Sequence, residues 1–196
     1  MKNIIFDLGG VVLSRDKNLC SSDLTEFLNI IHAMPTPLFW LEFDRGTLIW
    51  EQTVESISQI MQKPYNHCDT ILREAIEKTR PVAATSQLVS RLKERGYGLY
   101  VLSNMSFAFI NNFRSKYQIL KQFDGEIISC EYKMIKPERA IYELISNKFG
   151  LNPAETLFID DKSINTEAAA AFGFNVYTFD RNNPEKSCAD LEAMLL

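Results

Sequence analysis

At 196 residues and 22.5 kDa, the chain suits one domain, or one core domain with an insert, and is long enough to bury a substantial core. Its net charge of -4 and pI near 5.3, with lysines and arginines scattered rather than gathered into a stripe, argue against nucleic acid as a partner. No stretch approaches the roughly 20 apolar residues that span a bilayer, and the strand-like N-terminus leaves no room for a signal peptide, so the expectation is a soluble, cytoplasmic protein, monomeric or weakly dimeric.

The first element is the most informative. The apolar run Asn3-Ile4-Ile5-Phe6 stops at Asp7 and is followed by Leu8-Gly9-Gly10-Val11-Val12, which reads as a buried strand delivering an acid to a tight turn. A buried carboxylate is costly without a metal, a cation or hydrogen-bond donors. The alternative is an aspartate that caps the turn through backbone N–H groups. Residues 15–80 then hold few strand-like runs, several helical patterns and both tryptophans, Trp40 and Trp50. This stretch reads as a helical insert after the first strand, with residues 1–14 and 81–196 forming the core.

From residue 82 onward, apolar runs alternate with amphipathic helical patterns, which predicts βαβ units and a doubly wound parallel α/β sheet. Thr85 or Ser86 is the expected cap of a helix carrying Leu88, Val89 and Leu92 on one face, and Gly96 stands where it should end. The strand Leu99-Tyr100-Val101-Leu102 runs into Ser103-Asn104, and a helix through Phe109 and Phe113 follows. Gly125 precedes the strand Glu126-Ile127-Ile128-Ser129. Pro137 is placed at the first position of a helix whose Ile141, Leu144, Ile145 and Phe149 recur at helical spacing. Thr156-Leu157-Phe158-Ile159 ends in Asp160-Asp161, and an alanine-rich helix closed by Gly173, the strand Asn175-Val176-Tyr177-Thr178 and a short C-terminal helix complete the chain. Cys20, Cys68, Cys130 and Cys188 lack C-x-x-C spacing, and His32 and His67 are the only histidines, so reduced structural thiols are expected rather than zinc or disulfides.

Three inferred strands thus end in polar groups, at Asp7, Ser103-Asn104 and Asp160-Asp161, and ligands bind outside the carboxyl ends of strands in open parallel sheets. Lys136-Pro137 adds a cation beside an expected helix N-terminus, which together favour an anion. The chemistry this suggests is attack on a phosphoryl group. Asp7 and Asp161 offer hard oxygen ligands for Mg²⁺, an aspartate can form an aspartyl-phosphate, and Ser103 and Lys136 can hold the equatorial phosphate oxygens.

With these motifs, Ile4-Ile5-Phe6-Asp7-Leu8-Gly9-Gly10-Val11, Val101-Leu102-Ser103-Asn104, Lys136-Pro137 with Tyr142, and Phe158-Ile159-Asp160-Asp161 with Asn165, the chain resembles the haloacid dehalogenase-like (HAD) hydrolases. Most of these are Mg²⁺-dependent phosphatases with a Rossmann-like core. The resemblance implies Asp7 as nucleophile, Ser103 as phosphate donor and Lys136 as the charge steadying both. It implies a metal shell of Asp7, the Gly9 carbonyl, Asp161 and Asp160, and a phosphate site of Ser103, Asn104, Lys136 and Gly10. It also implies that the insert is an α-helical cap that closes over the site.

The chain departs from the family at Gly9, where most of its phosphatases carry a second aspartate as general acid. It is similar to a bacterial subgroup reading Asp-Leu-Gly-Gly/Asn-Val that includes glucose-1-phosphate phosphatases, so sugar phosphates are the expected substrates. Asp16 is the nearest candidate for a substitute acid, with a loop or surface position as the alternative. Within Phe39-Trp40-Leu41-Glu42-Phe43-Asp44-Arg45-Gly46, the aromatics could stack on a substrate or simply pack, and Arg45 could reach a second anion. His32 and His67 read as surface or packing residues. Metal-free haloacid dehalogenation is the enzymatic alternative, and a feebly active phosphometabolite- or protein-binding domain is the other.

Overall fold

The computed structural model describes the backbone of residues 1–196 and every side chain except that of Lys17. Strand β1 (Asn3–Phe6) leads through a tight loop to β2 (Leu13–Arg15). Helices α1 (Ser22–Ile31), α2 (Leu38–Arg45), α3 (Trp50–Met61) and α4 (Tyr65–Glu77) follow, and β3 (Thr79–Pro81) then pairs antiparallel with β2. The chain continues through α5 (Ala83–Glu94), β4 (Gly98–Ser103), α6 (Phe107–Lys116), β5 (Gly125–Ile128), α7 (Ser129–Tyr132), α8 (Arg139–Phe149), β6 (Thr156–Asp160), α9 (Ser163–Phe172), β7 (Asn175–Thr178) and α10 (Pro184–Leu195).

The main sheet has the order β5-β4-β1-β6-β7 and is parallel throughout. The chain winds outward from β1 through β4 to β5, then crosses back to β6 on the other side. The reversal therefore falls at β1, the position where a doubly wound sheet opens a crevice at its carboxyl edge. Phe6 lies level with Val101 on one neighbour and Ile159 on the other, so the three strands end nearly together.

Strand periodicity divides the core. Ile4, Phe6, Leu99, Val101, Leu157 and Ile159 face one cluster, while Ile5, Leu102 and Phe158 face the other. The first cluster is continuous with Leu24 and Phe27 of α1, Phe43 of α2, Val54 and Ile57 of α3, and Leu72 of α4. The second is built on Ile141, Tyr142 and Ile145 of α8. Each fully buried Ile or Phe of β1 contributes about 1.5–3 kcal/mol of transfer free energy, which is why so apolar a run occupies the centre.

Three local expectations are corrected. The first turn of α5 is preceded by Val82 as its cap, because Thr85 turns its hydroxyl inward to the Val11 carbonyl at 2.7 Å and Ser86 donates back to Val82. Pro137 does not begin a helix: Glu138 is extended, with φ -61° and ψ 131°, so α8 starts at Arg139 and Lys136-Pro137 forms a turn ahead of it. The short β2–β3 ribbon was not expected, since neither strand exceeds three residues.

Candidate active site

Asp7 is the first residue beyond β1, and its N–H still donates to the Ile159 carbonyl at 2.8 Å, so the sheet sets its position. One carboxylate oxygen, Oδ1, accepts from the Leu8 N–H at 2.7 Å and faces Lys136 Nζ at 2.9 Å. Asp160 ends β6 fully buried. Its carboxylate takes Lys136 Nζ at 2.6 Å, both oxygens receive Asn165 Nδ2 at 3.0 and 3.1 Å, and Oδ1 receives the Lys162 N–H at 2.9 Å. Lys136, 3% exposed, completes its coordination on the Leu102 carbonyl at 2.8 Å. Burial alone would lower its pKa, but the paired charges of Asp160 and Asp7 overcome that and raise it. The ammonium is therefore a fixed cation at the meeting point of three strands.

Asn104 holds that cation's loop. Its side chain donates to the Lys136 carbonyl at 2.9 Å and accepts from the Lys136 N–H at 2.8 Å, tying the turn to the end of β4. Ser103 buries a hydroxyl without a hydrogen-bond partner among the described residues, close enough to Asp7 to favour its ionised form. Burial dominates at Asp7 and, with the Asp160 charge, leaves its pKa raised even against Lys136 and Ser103.

Asp161 completes the group. Burial first, then the charges of Asp7 and Asp160, push its carboxyl up to about 6. One oxygen faces Arg181 Nη1 at 3.3 Å, and the other, Oδ1, is buried with no partner among the described residues. Asp7, Asp160 and Asp161 offer oxygens that all lie within 4.8 Å of one another. Three carboxylates against the buried charge of Lys136 and the half-exposed Arg181, with one buried oxygen orphaned, form a donor set that fits a hard divalent cation such as Mg²⁺. Gly10 permits this crowding: at φ +81°, a Cβ there would stand 2.6 Å from Asp161 Oδ2. Gly9, by contrast, has nothing within 4 Å of a would-be Cβ.

The cluster opens into a cavity of about 460 Å³ lined by Asp7, Gly9, Gly10, Asn104, Lys136 and Asp161 at its floor. Thr25, Leu28, Asn29, Ile31, His32 and Trp40 line it from α1, α2 and the turn between them. The expected site residues Asp7, Ser103, Asn104, Lys136, Asp160, Asp161, Gly9 and Gly10 are thus brought together.

Others fall elsewhere. Asp16 is exposed and its carboxylate accepts from the Asn18 N–H at 2.9 Å, a local turn that takes it out of the cavity. Arg45 is engaged with Glu138 at 2.5 and 3.0 Å, so it does not face the substrate space. Phe43 is core, and Trp40 packs edge-on against Phe27 at 5.5 Å and Phe109 at 6.0 Å while lining the cavity. His67 pairs with Asp23 at the surface, whereas His32 lines the cavity.

Sequence reasoning missed many of the lining residues, several of them charged. Arg15 anchors its Nε on the Ala75 carbonyl at 2.7 Å, and burial lowers its pKa to about 10. Asp44 projects from the last turn of α2. Arg181 and Asn182 follow β7. The carboxyl-end rule applied to β7 would have pointed to the latter two.

Residues 1–173 match the haloacid dehalogenase-like hydrolase family. This chain belongs to the HAD hydrolases. Across 88% of its length it is 27% identical to the sesquiterpene phosphatase astK of Aspergillus oryzae, of which it covers 86%. Across 90% it is 26% identical to the D-ribitol-5-phosphate phosphatase of Bacteroides thetaiotaomicron, covering 91% of that protein. Shorter stretches, 48% to 62% of this HAD chain, match (S)-2-haloacid dehalogenases of Pseudomonas and Burkholderia at 25% to 30% identity. The solved structure of the HAD-family enzyme bt-2542 from Bacteroides thetaiotaomicron, complexed with magnesium and inorganic phosphate, is similar with a TM-score of 0.72 and 26% identity, covering 92% of this chain and 95% of that one.

Proposed function

We propose that the protein is a Mg²⁺-dependent phosphatase that hydrolyses monoesters of small metabolites through an aspartyl-phosphate on Asp7. The observation that carries this reading is the excess of negative charge at the floor: Asp7 and Asp160 share the Lys136 ammonium, Asp161 has only the half-exposed Arg181 at 3.3 Å, and Asp161 Oδ1 has no partner among the described residues. A 2-haloacid dehalogenase working without metal would have to sustain that charge uncompensated. Asp7, Asp161, Asp160 and the Gly9 carbonyl would hold the ion. When bound, it would shield the nucleophile from the phosphate it attacks.

The remaining roles belong to the chain. Asp7 Oδ attacks phosphorus. Lys136 holds Asp7 in line and, with the unpaired Ser103 hydroxyl and the Gly10 backbone, meets the equatorial oxygens where charge develops. Asn104 positions the lysine loop. Helices α1 to α4, residues 15–80, would act as the cap that shapes the substrate space.

Thr25, Asn29 and Arg15 give that space polar contacts suited to a sugar or polyol phosphate, in keeping with the ribitol-phosphate relative. Leu28, Ile31 and Trp40 make an apolar wall, so prenyl phosphates belong in the same panel. The deciding experiment is phosphate release from sugar, polyol, prenyl and 4-nitrophenyl phosphates, with Mg²⁺ or chelator. Asp7→Asn should lower turnover by about 10⁴-fold or more while the fold persists. Halide release from a 2-haloacid in chelator, without phosphate release, would replace this reading with dehalogenation.

A further inference from the structure

An alkoxide is a poor leaving group, and on the phosphatase reading the ester oxygen that departs from phosphorus needs a proton. Nothing at the floor of the site can give one. Asp160 is tied to Lys136 and Asn165, Asp161 belongs to the carboxylate trio, and Gly9 has no side chain.

The wall opposite does hold an acid. Asp44 lines the same cavity as Asp7, Gly9 and Lys136, and among the described residues no side-chain or backbone donor is hydrogen-bonded to its carboxyl. It stands in the last turn of α2, at the negative end of the helix dipole, where the ionised form is disfavoured. Although it lies on a helix of the 15–80 segment, its place is pinned to the core from three sides. Ser129 Oγ donates to the Asp44 carbonyl. The next residue, Arg45, forks onto Glu138 and reaches the Lys133 carbonyl at 3.1 Å. Gly46 then ends the helix at φ +73° so close to α7 that a Cβ would meet Cys130 at 2.9 Å.

Resting on the phosphatase reading, we propose that Asp44 is the general acid and base of this enzyme, delivered from helix α2 in place of the missing side chain at Gly9. In the first half-reaction the Asp7 Oδ–P bond forms and the P–O bond to the substrate alcohol breaks, the Asp44 proton passing to the departing oxygen. In the second, water attacks phosphorus, its proton returns to Asp44, and the Asp7–phosphate bond breaks to release inorganic phosphate. The charged and titratable groups around the carboxyl are Lys162 before α9, Asp7, Lys136, Arg15 on β2 and the Cys130 thiol on α7. Burial is the largest influence, and together these surroundings push the group up to about 7, where a donor is still half protonated at neutral pH.

The test is leaving-group dependence in the full-length enzyme with Mg²⁺. For Asp44→Asn, kcat/KM on sugar, polyol and alkyl phosphates should fall by about 10²- to 10⁴-fold. On 4-nitrophenyl phosphate, whose leaving group needs no proton, a stoichiometric burst of nitrophenol should persist, followed by slow turnover. The alkaline fall of kcat/KM for alkyl esters in the wild type should vanish in the variant, and Asp44→Glu should restore part of the rate, which a merely structural role would not produce. Adding Gly9→Asp to the Asp44→Asn variant should also recover alkyl ester hydrolysis, because space is open at Gly9. Equal losses on both ester classes, or no loss, overturn the proposal while the phosphatase reading stands. So does loss in His32→Gln but not Asp44→Asn, His32 being another titratable lining residue. A wild type inert toward every ester overturns both.

Discussion

Adjacent glycines at 9 and 10 have opposite constraints. Gly10 needs its positive φ and the absence of a Cβ, since Asp161 Oδ2 occupies the space a Cβ would take. Gly10→Ala should cost about 1–2 kcal/mol for the left-handed backbone and displace Asp161, so denaturant unfolding and a Mg²⁺ titration of activity should both change; an unaltered titration would show that Gly10 does not set the place of Asp161. Gly9 is free on both counts, and substitution there tests chemistry rather than folding. Lys136 illustrates why such residues become legible only in part. Its proximity to Pro137 suggested a helix start, but its importance comes from Nζ reaching back to Leu102, Asp7 and Asp160. Those contacts join residues 24 to 129 positions apart in the chain.

Among elements, α2 is the one that joins the wall of the cavity to its floor. Its outer fastening is the Arg45–Glu138 fork, with side chains 28% and 41% exposed. Pairs this exposed contribute about 0–1 kcal/mol, so Arg45→Ala should leave the unfolding midpoint nearly unchanged. It should nevertheless loosen the α2 terminus, read as faster protease cleavage near residues 44–48 and a raised KM. A loss of several kcal/mol in chemical denaturation would show instead that the fork supports the fold. The aromatic run from Phe39 to Phe43 reads first as packing and only second as a surface for stacking on a ligand; the structure assigns Phe43 to the core and lets Trp40 do both, because α2 lies between α1, α6 and the cavity. Asp44 was hidden in that run. Nothing in local spacing distinguishes a carboxyl in an amphipathic helix that faces solvent from one that faces a cavity.

Across the whole molecule, one hydrophobic cluster runs from β1 through α1 to α4, so the wall and floor of the site share a core rather than meeting as separate bodies. The principal cost within this arrangement is the trio of carboxylates. A divalent cation binding the folded state alone at about 100 times its dissociation constant adds about 2.7 kcal/mol, or about 5–10 °C in melting temperature for a chain of this size. Thermal unfolding with Mg²⁺ and with chelator should show that shift, and Asp161→Asn should abolish it while raising the melting temperature of the metal-free protein. Equal melting in both conditions would remove the cation site.

The strands of the parallel sheet, their alternation with helices and the polar residues at their carboxyl ends were determined by the sequence itself, because period-two burial and turn chemistry act over a few residues. The HAD resemblance was legible for the same reason: each motif is a strand and its ending. What only tertiary structure decided was the convergence of Asp7 and Asp160 on the Lys136 ammonium, the removal of Asp16 and Arg45 from the site, and the arrival of Asp44 and Arg15 beside it. The first follows from the strand order and the turn before α8, the others from where the helices between β2 and β3 settle against the core, and packing between distant segments leaves no mark in local periodicity.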